Sequence, residues 1–507
     1  LSEENCAGIF LYFWIPFNKP MNSSKPILTS LAALSFLSSG SSTKSVDLEK
    51  LKPNIVYILA DDLGYGDLSC YGQKKFKTPN IDRLAKDGML FTQHYAGCTV
   101  CAPSRSSLMT GLNTGHTPIR GNKGWDPEGQ YPIPASTFTV AEMLKQAGYN
   151  TGAFGKWGLG FIGTEGDPNK QGFDEFFGYN CQSLAHNYFP EYLWDNDQKV
   201  ILKGNSGDLF KEYAPKLIHD RALRFIEKNN PNQTGKPFFL FYPNIIPHAE
   251  LLLPDENMNE FRGKFLPEKA YNGAVPGSPN FRQGAYGAQP ETHAAFAAMV
   301  TLLDNQVGEV VTKLKELGLD KNTIIIFSSD NGPHIEGGGD PDYFDSNGPF
   351  KGYKRDLYEG GIREPMIARW PGKIKAGSTT DLVSAFWDVM PTLAEIAGIP
   401  APKNIDGISF LPSLTGNGTQ VKHETLYWEF HEQDGRQALR KGDWKLVRYH
   451  VFTPEKTTTE LYNLKMDIGE EKNVAAEHPK VVNEMLEILK HSRNDSDVFP
   501  FGKNQLK

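Results

Sequence analysis

The chain has 507 residues, enough to bury a large core and to divide into two or three domains. Its 53 basic residues against 60 acidic ones leave a formal charge of −7, so no basic excess points to nucleic acid. Five cysteines (Cys6, Cys70, Cys98, Cys101, Cys181) are too few and too scattered for a disulfide framework.

Residues 1–50 read as an N-terminal extension with a signal peptide, starting in effect at Met21. Lys25 precedes a mostly apolar stretch, 27–37, and Ser38-Ser39-Gly40-Ser41-Ser42 follows. That is the layout of a secretory leader, too short to span a bilayer. The protein is therefore expected to be secreted or periplasmic, with no stable membrane span. Membrane attachment would require that the lipidated cysteine of a lipoprotein box has been replaced at Gly40.

Asn54 to Ala60 is a nearly continuous apolar run of strand length, as expected for a strand buried on both faces of a parallel sheet. Asp61-Asp62 and the glycine-rich Leu63 to Asp67 follow at once. Helices are predicted over 78–88 and 136–148. Between them, Pro103 suits a first helical position, Ser104 to Met109 continue the helix, and Gly111 stops it. Cys101 then falls just before a helix N-terminus, where free N–H groups favour anions. Cys98 and Cys101 form a C-x-x-C, but no second pair or spaced histidines accompany it, against zinc. Thr151 to Gly155 is a short strand running into Lys156-Trp157-Gly158. Residues 161–215, rich in Gly, Asn, Asp and aromatics, read as an irregular insertion suited to sugar contacts.

Pro237 to Tyr242 is a second buried-strand pattern, followed by Pro247-His248. A long helix is predicted over 291–317, with Val300, Leu303, Val307, Val310 and Leu314 on its core face. Thr323 to Ser329 repeats the first pattern: an apolar strand, then Asp330-Asn331-Gly332. Trp387 to Ala397 reads as the last helix of the large domain, and 398–406 as linker. Beyond about residue 420 come four short strands and a helix over 479–491, a small antiparallel α+β subdomain. The expectation is an α/β fold with a large, mixed, mostly parallel sheet flanked by helices. Its parts would be a catalytic domain over 51–400 and a C-terminal subdomain over 401–507.

In open α/β sheets, ligands bind outside the carboxyl ends of strands. Asp61, Asp62, Asp330 and Asn331 would supply hard oxygen ligands there, suited to Ca²⁺ or Mg²⁺ rather than zinc. Arg105, Lys156 and Lys354 offer positive charge for an oxyanion, and His248 a proton for a leaving alcohol.

The run Cys101 to Gly111, CAPSRSSLMTG, resembles the signature of the formylglycine-dependent sulfatases of the alkaline-phosphatase superfamily. DDLGYGD, GKWGLG, PNIIPH, SSDNG and YKRDLYEGGIREP extend the likeness from Pro53 onward. The resemblance implies that a maturation enzyme oxidises Cys101 to formylglycine, whose hydrate attacks sulfur. The alcohol then leaves, and sulfate is eliminated to restore the aldehyde. It implies Ca²⁺ on Asp61, Asp62, Asp330, Asn331 and the modified Cys101. It also implies Arg105, Lys156 and Lys354 on the sulfate or formylglycine, and His248 as acid. The stretches AHNYFPEYLW, SDNGPHIEGG and GYKRDLYEGGIREP resemble bacterial exo-acting sulfatases of galactose or N-acetylgalactosamine, at O4. They make His186, His334 and Arg355 the candidate substrate contacts.

One position departs from the pattern. The family usually has histidine two residues after the lysine, where this chain has Gly158. Either His186 or His334 fills that space from another loop, or the role is dispensed with. The competing readings are a phosphatase or phosphodiesterase of the same superfamily and a non-catalytic sulfoglycan-binding protein.

Overall fold

The computed structural model describes residues 52–502. The leader segment, Met21 and Gly40 lie outside the described residues. Among those residues the main sheet has eleven strands. In chain order they are β1 (Asn54–Ala60), β2 (Met89–Tyr95), β3 (Asn150–Lys156), β4 (Glu175–Tyr179), β5 (Tyr192–Asp195), β6 (Gln198–Ile201), β7 (Phe238–Pro243), β8 (Thr323–Ser329), β9 (Arg363–Arg369), β10 (Ser378–Thr380) and β11 (Ser384–Ala385). They run in the order β10-β2-β9-β8-β1-β7-β3-β4-β5-β6, with β11 also on β2. The centre, β8-β1-β7-β3-β4, is parallel, while β9 pairs antiparallel with both β8 and β2. The expected mixed, mostly parallel sheet is what forms.

Side chains alternate across a strand, so a strand apolar at every position needs a core on each face. Val56 and Ile58 of β1, Leu240 of β7 and Ile325 of β8 face one core. It is closed by α1 (Pro79–Lys86), α4 (Ala214–Lys228) and α5 (Thr292–Glu316) through Ile81, Phe225 and the predicted stripe from Val300 to Leu314. Ile55 and Tyr57, Phe239 and Ile324 face the other. There α2 (Cys101–Thr110), α3 (Val140–Gln146) and α6 (Val389–Ile396) pack through Leu108, Leu144 and Leu393.

Three expectations are corrected. Helix α2 begins at Cys101 with Val100 as its cap, so Cys101 lies in the first turn rather than ahead of it. Helix α3 starts at Val140, because Thr139 and Glu142 form a capping box that fixes the entry. The insertion over 161–215 is not wholly irregular: β4, β5 and β6 extend the sheet from within it.

A second sheet is an antiparallel meander of β12 (Leu426–Phe430), β13 (Arg436–Lys441), β14 (Trp444–Tyr449) and β15 (Thr458–Asn463). One face packs on α7 (Pro479–Lys490) through Leu439, Leu446, Met485 and Leu489. The other packs Trp428 and Val447 against Tyr95, Cys98 and Val100. The Trp428 indole donates to Ala96 O at 2.9 Å, and the Cys98 thiol to Glu429 O at 3.4 Å. The second sheet thus clamps the segment that delivers Cys101.

Candidate active site

The central parallel strands all end on one side, and the candidate residues leave from those ends. Ala60 of β1 is in register with Ser329 of β8, which sets Asp61 beside Asp330. Asp330 N donates to Ala60 O at 3.0 Å, and Asp62 N to Asp330 Oδ1 at 3.1 Å. Asp62 has φ 61°, a left-handed turn that Asp tolerates. Lys156 ends β3, and His248 follows β7. Ligand atoms of Asp61, Asp62, Cys101 and His248 lie within 4.8 Å of one another.

Helix α2 presents Cys101 from a setting with few apolar side chains, yet all ten of its residues are buried. Most of its polar side chains find partners, with Ser107 Oγ left unpaired. Ser104 Oγ donates to Asp330 O at 2.6 Å and accepts from Gly97 N at 3.1 Å. Ser106 and Thr117 hydroxyls meet at 2.6 Å, and Thr110 Oγ1 donates to Ser106 O at 2.7 Å. A β-carbon at Gly97 would collide with Ser107, so the segment can approach the helix only as glycine.

Cys101 Sγ lies 3.4 Å from Asp61 Oδ1 and 3.3 Å from Lys156 Nζ. Lys156 Nζ donates to Asp61 Oδ2 at 2.7 Å. The Arg105 guanidinium donates twice to Asp330 Oδ2, at 3.0 and 2.7 Å, lies 3.2 Å from Asp61 Oδ2, and also donates to Lys156 O. Lys354 Nζ donates to Asp62 Oδ2 at 2.9 Å and lies 3.2 Å from His248 Nε2. Asn331 Nδ2 donates to Asp62 Oδ1 at 2.7 Å, while Asn331 Oδ1 is buried with no partner.

Burial pushes the Asp61 carboxyl up, but Lys156, His248 and Arg105 outweigh it and hold it below the usual range. The same contest leaves Asp62 at about 2, with Lys354 the strongest opponent of burial. Asp330 goes the other way, to about 6, because burial and the Asp61 charge exceed the pull of Arg105. Burial and Asp61 push the Cys101 thiol up. Burial, then Lys354 and Lys156, hold His248 well below an ordinary histidine.

His248 is flanked by two other rings. His186 stacks on it at 5.2 Å and His334 at 5.8 Å. Both ring nitrogens of His334 face backbone carbonyls, Glu336 O at 3.1 Å and Pro247 O at 3.2 Å. His186 Nδ1 is held by Gly284 O at 2.8 Å, and its ring borders a cleft of about 510 Å³ shared with Tyr271, Asn272 and Tyr286. Arg355 pairs with Glu336 and lies 3.7 Å from Glu432, at the rim.

A β-carbon at Gly158 would collide with the side-chain amide of Gln182, and the next side chain is Arg105, with Cδ at 3.7 Å. These two, not His186 or His334, are the side chains nearest that position. Gln182, Tyr286 and Glu336 were missed by sequence reasoning. Gln182 sits in the amide-rich stretch after β4 that lacks any periodic signal.

Comparison with known proteins agrees with this geometry. A family model described as Sulfatase matches residues 53–399, and one for the C-terminal part of N-sulphoglucosamine sulphohydrolase matches 348–495. The chain is 32% identical to human (Homo sapiens) arylsulfatase A over 86% of each chain. It is 32% identical to an N-acetylgalactosamine-6-O-sulfatase of Bacteroides thetaiotaomicron, covering 86% of this chain and 92% of that one. The crystal structure of Ps i-CgsB in complex with k-i-k-neocarrahexaose superposes with a TM-score of 0.71 at 29% identity, over 87% of this chain and 93% of the other. The Sulfatase match covers most of the chain and spans the strand ends that carry these side chains, and the chain belongs to the sulfatase family.

Proposed function

We propose that this sulfatase removes sulfate from a galactose or N-acetylgalactosamine residue of a glycan, using Cys101 converted to formylglycine and a calcium ion. The observation that carries the reading is the placement of Cys101 in the first turn of α2, 3.4 Å from Asp61 and 3.3 Å from Lys156.

The residues present fit calcium. Asp61, Asp62, Asp330 and Asn331 offer only oxygen, and Asn331 Oδ1 is a buried acceptor without a donor. When bound, the ion supplies Lewis-acid polarisation of sulfuryl oxygens. The formylglycine hydrate supplies the attacking oxygen. Cys101 is only 2% exposed, so a maturation enzyme has to reach it before the chain folds.

The chain's own side chains do the rest. Arg105 and Lys156 hold negative charge at the nucleophile, in a buried setting where their fixed position lowers the cost of charge development. Lys354 bridges Asp62 and His248 and meets the sulfate from the other side. A sulfate ester brings negative charge beside His248 Nε2. That charge offsets Lys354 and Lys156 and lets the ring carry the proton it gives to the leaving sugar oxygen. His186, Arg355 and His334 line the sugar side, with His186 opening on the 510 Å³ cleft. In this reading residues 51–400 form the catalytic domain, 401–507 the subdomain that clamps Cys101 in place, and the protein works outside the cytoplasm.

The loop stretches favour a 4-O-sulfate, and the names of the N-acetylgalactosamine-6-sulfatase relatives favour a 6-O-sulfate. The test is mass spectrometry of the peptide around Cys101 together with turnover of 4-O- and 6-O-sulfated galactose and N-acetylgalactosamine. Conversion exchanges sulfur for oxygen and removes two hydrogens, so a lighter peptide is expected, with turnover of one sulfate position. An unconverted cysteine in an active preparation overturns the nucleophile assignment.

A further inference from the structure

We infer that Gln182 binds the sulfuryl group, donating from its side-chain amide to a sulfate oxygen beside Arg105. The inference rests on the sulfatase reading above and adds a substrate contact to it.

Both Nε2 and Oε1 of Gln182 are shielded from solvent and have no hydrogen-bond partner. Two residues earlier, the fully buried Asn180 is likewise unpaired at Nδ2 and Oδ1. A buried amide without partners is a net cost to folding, and folded proteins rarely keep one without a compensating use. Here two such amides fall within three residues, directly after β4, next to the end of β3 that carries Lys156.

Backbone geometry brings Gln182 to the reacting groups. Trp157 N donates to Tyr179 O at 2.9 Å and Gly158 N to Asn180 O at 3.0 Å, so the chain after Lys156 is zipped to the chain before Gln182. Gly158 has φ 78° and no side chain, and the Gln182 amide packs on it in the space that a side chain there would take. The same space is bounded by Arg105 Cδ. The Arg105 guanidinium in turn contacts Asp330, Asp61 and Lys156 O, around Cys101. An unpaired neutral amide N–H in the space that Arg105 borders suits an anion's oxygen, because it adds a donor without adding charge.

Gln182→Met keeps the shape and removes the amide. With Cys101 converted, inorganic sulfate is titrated calorimetrically against native protein and variant, kcat/KM is measured on the sulfated sugar, and Tm is recorded. We expect sulfate binding and kcat/KM to fall about 10–100-fold while Tm holds or rises, since an unpaired buried amide has been removed. Sulfate binding and kcat/KM within twofold of native overturn the assignment, as does a lowered Tm with unchanged sulfate binding, which marks a structural amide. Should the Met variant not fold, Gln182→Glu decides: its carboxylate repels the dianion, so sulfate binding retained within twofold overturns the assignment. If the native protein turns over no sulfate ester, the functional reading fails, yet the sulfate titration and Tm still decide the role of Gln182.

Discussion

Two buried clusters of charge are made from the same side-chain types and end in opposite states. Where the second sheet meets the first, Glu359 accepts from Lys445 at 2.9 Å, from Tyr95 at 2.6 Å and from Arg363 at 3.1 Å. Glu470 Oε2 accepts from Glu359 N at 2.6 Å, and its Oε1 lies 3.0 Å from Lys445 Nζ, an ion pair outside hydrogen-bond geometry. In that cluster only Glu470 Oε1 lacks a hydrogen-bond donor, and it still faces a cation. At the strand ends, Asp61, Asp62 and Asp330 face Arg105, Lys156 and Lys354, but Asn331 Oδ1 and the amides of Asn180 and Gln182 are left unpaired. Near-saturation marks the cluster that holds the fold together, and several unpaired groups gathered in one place mark the one that receives something from outside.

The difference can be broken at either end. Cys101→Ala should remove more than about 10⁴-fold of turnover while far-UV circular dichroism and Tm stay native, because the group lost serves the reaction and not the core. Turnover surviving in this variant would sink the sulfatase mechanism proposed here. His248→Ala should cost about 10²–10⁴-fold on a sulfated sugar and far less on an activated aryl sulfate, whose leaving group needs no proton. Equal losses on both substrates would refute its acid role. His186→Ala provides the contrast and should mainly raise KM on the glycan.

In the first cluster the same kind of cut should read out as stability. Lys445→Met removes the cation shared by two buried carboxylates and should cost about 3–5 kcal/mol by chemical denaturation, with kcat near native in the molecules that remain folded. A variant of native stability would show that the cluster is not what joins the sheets. Asn331→Ala should weaken calcium at least about tenfold, measured by titrating Ca²⁺ into chelated protein. Zinc restoring activity as well as calcium would argue against an all-oxygen site.

The smallest effect is a pH slope. Burial and the Glu359 charge push Glu470 up to about 7, above its unfolded value, so its contribution to stability is complete at low pH and lost as pH rises toward 7. Glu470→Gln should flatten Tm against pH between about 5 and 8. An unchanged slope would place the titration elsewhere.

The parts legible in sequence were those whose residues report their own surroundings. β1, β7 and β8 are apolar throughout because both faces are covered, and the acids directly after β1 and β8 have no structural reason to be there. β2 and β9 escaped because MLFTQHY and REPMIAR carry polar residues, Thr92 and Gln93 half-buried and Arg363 and Glu364 buried. Tertiary partners make Arg363 tolerable, its guanidinium donating to Thr92 O at 2.8 and 2.6 Å. Gln182 was hidden for a similar reason. Its meaning depends on the φ of Gly158 and on what packs there, and a string of residues states neither.

The register between β1 and β8 has a consequence for how such a protein can change. The strand-end carboxylates are fixed by backbone hydrogen bonds between neighbouring strands, and a one-residue slip would turn both cores inside out. The reacting atoms are therefore tied to the least mutable part of the molecule. His186, Tyr286 and Arg355 hang from connections outside the strands of the sheet. Chemistry and choice of sugar are stored separately, so new substrates can be explored by rewriting rim loops while the sulfate-cleaving centre is inherited intact.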